Sequence, residues 1–457
     1  MTSAAAPRTA AAMSLASGSA LLLGGRVLEY LAVGIAGVLV ARGLGPEGRG
    51  VYSLVNQASA WSVAFVVPGL ADAAVYLWGR RRYDLRALWG NYLAWWVGVM
   101  ALLSAGALAV LAVGRPLLGM APWQLSLALG GGMALLLYEG AQTLALGQGM
   151  AGRYVLAQVT APLLRLAGIA ALFVLGTGLA AVLGVWVGAL LVACALAVAL
   201  ARLPLRPSLD LAALRHQLAY GAKGFAGWML AALNHRLDVF IVGGLLGAAA
   251  VGRYTVAFNA AELSWWVPLA VGSVLFPKAS SLPPDVSAQL AVTVCRRTLL
   301  VAALAIACLG SAGYILIPLL YGEEFRQSVS AFYVLLPSGL FYSVSKVLGS
   351  SLWALGRPQV GVYSGLASAP VMLALNFLLV PHLGIEGAAL ASMAAYLLNA
   401  AVVLAVFSRA TATPWWRPLL PEARDLRALA EGGASLWRRR PLADLGGDGA
   451  RPRYRRT

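Results

Sequence analysis

Charge is what this chain has least of. Only 11% of its 457 residues are Asp, Glu, Lys or Arg, while 60% are hydrophobic and the mean hydropathy is +0.79. A soluble domain carries about a quarter charged residues, so that class is excluded and an integral membrane protein is expected. Lysine is nearly absent, with only Lys223, Lys278 and Lys346. Histidine is limited to His216, His235 and His382, and cysteine to Cys194, Cys295 and Cys308, which lie in apolar runs without a CxxC. That excludes a disulfide framework or a cysteine-based zinc site. No G-x-x-x-x-G-K-[ST] phosphate loop occurs, and no hydrophilic insert is long enough to house an ATPase. A polymerase or ligase needs catalytic groups on a large external loop, and none is present, so no enzymatic activity, cofactor or metal is expected.

What is present is a succession of apolar runs. A bilayer core of about 30 Å takes roughly 20 helical residues, and twelve such runs can be drawn: Ser14 to Val40, Val51 to Trp78, Leu85 to Val113, Pro122 to Leu146, Tyr154 to Leu175, Leu179 to Ala201, His216 to Gly243, Gly252 to Phe276, Ala291 to Leu320, Gln327 to Leu355, Gln359 to Val380 and Ile385 to Phe407. The first is too long for a signal peptide and carries Arg26 and Glu29, so it is read as a retained helix.

The net charge of +17 would suit nucleic acid, but its distribution points to membrane topology instead. With a cytoplasmic amino terminus, the inside segments before the tail hold fourteen Lys and Arg, including Arg80, Arg81, Arg82, Arg296 and Arg297, against five outside: Arg42, Arg49, Arg115, Arg253 and Arg326. By the positive-inside rule both termini face the cytoplasm. Residues 409–457 add 11 Arg on that side, either as a solubilising tail or lying on anionic headgroups.

An internal repeat is legible. Leu146-Gly-Gln-Gly-Met-Ala-Gly-Arg-Tyr154 returns as Leu355-Gly-Arg-Pro-Gln-Val-Gly-Val-Tyr363, and Gly50-Val-Tyr52 returns as Gly252-Arg-Tyr254. Ala161-Pro162 recurs as Ala369-Pro370, and Gly178-Leu-Ala-Ala as Gly387-Ala-Ala-Leu. Spacing near 205 residues implies six helices per repeat, two lobes in the same orientation, and a central cavity between them. The expected organisation is an all-α polytopic protein: residues 1–13 as a cytoplasmic terminus, 14–201 and 216–408 as the two six-helix lobes, 202–215 as linker, and 409–457 as tail.

Particular residues then resemble a family. Leu44-Gly-Pro-Glu-Gly-Arg-Gly-Val-Tyr-Ser53, Asn234-His-Arg-Leu-Asp238 with Gly247-Ala-Ala-Ala-Val-Gly-Arg-Tyr254, and Leu355-Gly-Arg-Pro358 with Asn376 to Pro381 and Gly384-Ile-Glu-Gly-Ala-Ala-Leu390 are similar to stretches of the Wzx-like polysaccharide transporters. These are lipid-linked oligosaccharide flippases of the multidrug/oligosaccharidyl-lipid/polysaccharide (MOP) exporter superfamily, whose fold is MATE-like. The resemblance covers about 400 residues, all but the tail. It implies alternating access and movement of an undecaprenyl-pyrophosphate-linked repeat unit of O-antigen, capsule or exopolysaccharide from the inner to the outer leaflet of a bacterial inner membrane. Implied partners are that polyprenyl-pyrophosphate-linked oligosaccharide, membrane lipids, a coupling Na⁺ or H⁺ and a polysaccharide polymerase complex, with no nucleic acid. A multidrug or organic-cation exporter and a peptidoglycan lipid-precursor flippase of the same superfamily are the alternatives, with a non-transporting scaffold as a third class.

Charge inside hydrocarbon is costly and therefore marks function or pairing. The cation candidates are Arg26, Arg165, Arg236 and Lys346; a guanidinium suits pyrophosphate because its planar fork donates two hydrogen bonds at once. Ser338, Tyr342, Lys346, Ser350 and Trp353 share one polar helical face. Arg26 and Glu29, three apart, also share a face, whereas Arg236 and Asp238, two apart, point opposite ways. Glu29, Asp72, Glu139, Asp238 and Glu262 are candidates for ion coupling or for charge pairing with these arginines. Glu139 with Gln142 and Thr143, and Asn259 with Glu262 and Trp266, would form two oxygen-bearing clusters. Tyr342, Trp266 and Trp353 are candidates for stacking on sugars, against an ordinary place in the interfacial aromatic belt.

Overall fold

The computed structural model describes residues 15–64, 69–113, 120–176, 178–204 and 206–430. Residues 1–13, Pro68, Arg115, the distal tail 431–457 and the side chains of Asn234 and His235 lie outside the described residues. In chain order the helices are α1 (Leu15–Ala64), α2 (Leu70–Gly79), α3 (Leu85–Val113), α4 (Pro122–Gly147), α5 (Ala151–Leu175), α6 (Leu179–Leu200), α7 (Leu211–Leu246), α8 (Ala248–Glu262), α9 (Trp266–Ser280), α10 (Pro284–Tyr321), α11 (Ser328–Leu335), α12 (Ser338–Ala354), α13 (Val360–Thr411) and α14 (Ala423–Ala430). Among the described residues no strand is present, and eight stretches are long and apolar enough to cross a bilayer. The protein is a multi-pass membrane protein.

The expected twelve segments do not appear as twelve separate rods. The expected loop at residues 41–50 is reduced to a sharp turn at Gly45, φ 64° and ψ −172°, where two helical stretches of α1 meet. A position at Gly37 bearing a Cβ would sit 3.4 Å from the Arg49 guanidinium. Twelve residues of straight helix would separate those positions by about 18 Å, so the chain doubles back at Gly45. Gly384, φ 63°, does the same within α13, bringing Gly387 against the Leu379 carbonyl. Both turns need a positive φ, which a side chain other than glycine strains to adopt. The tenth run changes helical register between Leu335 and Ser338, and the eighth tightens to one 3-10 turn at Leu263–Trp265, each remaining a single span.

Gly45 and Gly247 share one backbone conformation, 202 residues apart, with Gly247 at φ 85° and ψ 177°. The stretches that follow them, 46–53 and 248–255, pack on each other reciprocally. A Cβ at Gly50 would overlap the Ala248 carbonyl, and one at Gly252 would overlap the Pro46 carbonyl. Ser53 and Thr255, again 202 apart, share a 3.2 Å hydrogen bond between their hydroxyls. Such mutual contact between equivalent positions is the mark of a local two-fold axis. Arg42 adds to this end by donating to the Leu320 carbonyl at 2.8 Å and to that of Leu319, at the last turn of α10.

At the opposite end α7 begins against α2 and α3. Tyr83 meets His216 at 2.7 Å, Arg82 reaches the same ring at 3.2 Å, and Tyr76 stacks on Tyr220 with centroids 4.3 Å apart. Asn91 holds the backbone of Asp210 through both its amide groups, at 2.9 and 3.0 Å.

Residues 413–430 also depart from expectation. They are not a free tail: Asp425, fully buried, sits between Arg296 at 3.0 Å and Arg297 at 3.1 Å, and Glu422 pairs with Arg296. Arg296 itself is 2% exposed. Its Nε contact with Asp425 is an ion pair without hydrogen-bond alignment.

Candidate functional site between the two halves

The interior charges gather where α1 meets α5 and where α7 meets α8. Arg26 and Glu29 lie one turn apart on α1 and pair at 3.7 Å. Gln158 of α5 donates to the Glu29 carboxylate at 2.7 Å, while Tyr138 of α4 donates to the neighbouring Ala157 carbonyl at 3.0 Å. Arg26 is 55% exposed, so most of its guanidinium remains available.

On the other half Arg236 donates to Glu262 at 2.8 Å and to Asn259 at 3.2 Å, and its guanidinium lies 4.2 Å from the centre of the Phe258 ring. Asn259 and Glu262 are three residues apart on α8 and present both oxygens to one arginine. Tyr30 of α1 and Trp266 of α9 join the two groups, with ring centroids 5.3 Å apart. Tyr30 is within electrostatic reach of Arg26, Glu29 and Glu262, and Tyr342 within reach of Glu262 and Tyr30. Arg26, Glu29, Arg236, Glu262, Trp266 and Tyr342 are therefore brought together from both halves. Tyr342 also stacks on Trp265 at 4.6 Å, and the Trp265 indole donates to Ser338.

The remaining candidates are spread out. Lys346 runs along α9, where a Cβ at Gly272 would come within 3.0 Å of its side chain. No carboxylate pairs with it among the described residues. Trp353 is 54% exposed at the far end of α12. Asp72 on α2 and Glu139 on α4 are exposed, within electrostatic reach of each other and without an arginine partner among the described residues. They do not join the charge pairs of the centre. Arg165 of α5 is half-buried, and its Nε has no partner.

Asp238 lies behind the centre, 1% exposed. Its two-residue offset from Arg236 turns it the other way, into the contact between α7, α8 and α13. There it accepts from the Val239 amide at 2.8 Å, from Ser392 at 2.8 Å and from the Tyr254 hydroxyl. Sequence reasoning missed Tyr254, Ser392, Gln158 and Tyr30, because each acquires its role only through a helix distant in the chain. It also assigned Arg49 to an external loop, whereas that residue is 6% exposed inside α1.

An arginine already satisfied by one carboxylate retains N–H groups for a second anion. Two such pairs, with aromatic faces between them, can receive a doubly charged oxyanion and an adjoining polar group together.

Comparison with known proteins agrees with this architecture. Residues 151–330 match the family described as "Polysaccharide biosynthesis protein". The probable low-salt glycan biosynthesis flippase Agl15 of Haloferax volcanii is 26% identical over 167 residues, 36% of this chain and 35% of that protein. The match thus spans about a third of the curated relative. Among solved structures, the lipid II flippase MurJ in an inward closed conformation superposes with a TM-score of 0.72 at 12% identity, covering 92% of this chain and 93% of that one. An inward-facing multidrug resistance MATE transporter of the MOP superfamily gives 0.63 at 14% identity, covering 86% and 98%. At these identities the structures establish the fold alone. Residues 151–330 thus match the polysaccharide biosynthesis family model, and the fold is the one also seen in MurJ and in the multidrug resistance MATE transporter.

Proposed function

We propose that this protein is a flippase for a polyprenyl-pyrophosphate-linked oligosaccharide, moving it between membrane leaflets by alternating access. The observation that carries the reading is the pair of arginine–carboxylate couples, Arg26–Glu29 and Arg236–Glu262, one on each half, about the Tyr30–Trp266 contact. A diphosphate arriving between them accepts from the guanidinium N–H groups that the carboxylates leave free, so neither the cations nor the ligand is left uncompensated in a medium of low dielectric. Tyr342, Trp266 and the exposed Trp353 offer ring faces to the sugars. Lys346, held against Gly272 without a carboxylate, adds a further cation. The lipid tail stays in the bilayer throughout, so only the polar part needs this path.

The reading takes the helices as twelve crossings. The kinks at Gly45 and Gly384 give α1 and α13 two passes each, α2 completes the second pass, and α8 with α9 and α11 with α12 complete one each. Six crossings per lobe follow, with both termini cytoplasmic in a bacterial inner membrane. Asp238, with Asp72 and Glu139, supplies the sites at which Na⁺ or H⁺ would couple transport to a gradient. No covalent chemistry is needed, and a polysaccharide polymerase would take the product on the outer side.

The test is translocation in proteoliposomes. A fluorescent polyprenyl-pyrophosphate sugar becomes accessible to a membrane-impermeant quencher faster than in protein-free vesicles, and the Arg26→Gln, Arg236→Gln triple with Lys346→Gln loses that acceleration. If wild-type protein leaves the lipid in its leaflet but moves an amphipathic cation, the exporter reading replaces this one.

A further inference from the structure

Arg49 is a guanidinium 6% exposed inside the first kinked helix, and no carboxylate pairs with it among the described residues. Its Nε makes no hydrogen bond. The ring of Tyr52 lies 5.6 Å away, a modest compensation for a buried charge. Gly37 leaves it room, since a Cβ there would be 3.4 Å from Nη2.

The packing of α1 on α5 sets what lies opposite. These helices run in parallel register, with Gly25 beside Val155, Glu29 bonded to Gln158, and Gly43 beside Phe173. Arg165 is seven residues beyond Gln158, about two turns or 10 Å along α5. Gly37 is eight residues beyond Glu29, about 12 Å along α1. Arg165 therefore stands at the level of Gly37, on the α5 face turned to α1, where the Arg49 guanidinium rests. Its Nε is likewise buried and unpartnered. Arg165 and Arg236 are both within electrostatic reach of Arg49, and of these Arg236 is paired, with Glu262. A buried and a half-buried cation that repel each other, without a carboxylate partner among the described residues, call for an external counter-charge.

We propose that Arg49 and Arg165 hold a phosphate-type oxyanion between α1 and α5, as a second station about two helical turns beyond the Arg26–Glu29 pair toward the Gly50 end. Its part in transport rests on the flippase reading; its existence as an anion site does not. A diphosphate advancing from the first pair finds its next donors here, directly beneath the Gly50–Gly252 contact that closes this end.

Full-length protein in chloride-free detergent solution is titrated with inorganic pyrophosphate and followed by thermal shift. Saturable stabilisation is expected, with the apparent affinity weakened about tenfold or more in Arg49→Gln and in Arg165→Gln, retained in Arg49→Lys, and unchanged in Arg357→Gln, an exposed loop residue. Absence of saturation in wild type, equal stabilisation by the same concentration of chloride, or wild-type affinity in both glutamine variants overturns the site. Should Arg49→Gln fail to elute as a single species, Arg165→Gln alone decides. Translocation assays separate the two readings. Pyrophosphate binding that depends on both arginines, in a protein that does not move lipid-linked sugar, keeps the site and removes the flippase reading. Sugar moved at the wild-type rate by both glutamine variants removes the station from the path.

Discussion

Arg236 is the residue on which most of the central site converges. It is the shared partner of Asn259 and Glu262 and lies over Phe258. Removing it leaves a carboxylate in the membrane interior without this partner, which is costlier than the loss of the pair itself. Arg236→Gln is expected to slow translocation more than about tenfold, and adding Glu262→Gln is expected to restore folding but not transport. Thermal stability and flipping rate, measured on the same preparations, check the split: recovery of both in the double variant would make the pair merely structural. The spacing of Arg26 and Glu29 already implies their pairing, because a three-residue step is a local property of a helix. Nothing local joins Arg236 to Glu262, 26 residues away across a turn, nor Asp238 to Ser392. Those pairings depend on tertiary packing, which periodicity does not encode. Arg49 was obscured for another reason. Gly-Pro-Glu-Gly holds three helix breakers in four residues, so the residue reads as part of a loop, whereas the glycine at 45 permits a sharp reversal between two helices that adjoin it directly.

Among the elements, the strap formed by residues 413–430 has the most exacting electrostatics. Its Arg-rich composition resembles an unstructured tail, yet Asp425 is fully enclosed between Arg296 and Arg297. Truncating one member of a buried pair costs about 3–5 kcal/mol. Asp425→Ala is therefore expected to detach the strap and lower the melting temperature of the carboxy-terminal half, with tryptic cleavage at Arg424 and Arg427 as the direct readout. The pH dependence has a definite sign. Hydrogen bonding to Arg296 holds the Glu422 carboxyl below its ordinary value of 4.5, so its contribution is complete above that value and is lost only as pH falls through the lower folded pKa. Protection from cleavage should be constant from pH 8 to 5 and fail only below about 4, assayed with an acid-active protease. Release near pH 6 would contradict this account.

At the scale of the whole molecule, the two halves meet at one end through equivalent residues, and under the proposed alternating access that geometry determines how the end opens. Ser53 and Thr255 share their hydrogen bond close to the axis that relates Gly50 to Gly252. Two halves rocking about such a seam separate it completely in one state and restore it in the other. Backbone touches backbone at the glycines, leaving no room for a side chain, so any Cβ there works against the closed state and not the open one. Gly50→Ala is thus expected to shift the population away from closure, and by the two-fold relation Gly252→Ala should do the same. A cross-link reports that population directly. The double variant Ser53→Cys, Thr255→Cys, in a background lacking the three native cysteines, places two thiols where the hydroxyls lie 3.2 Å apart, within a side-chain rotation of the about 2 Å that a disulfide bond spans. Oxidation is expected to form the bond rapidly, to stop translocation while leaving pyrophosphate binding intact, and to be reversed by a thiol reductant. Adding Gly50→Ala should slow cross-linking in proportion to the loss of the closed state. Transport that continues at full rate with the bond formed would mean that this seam stays shut throughout the cycle, and that the polar group passes by another route than between the halves.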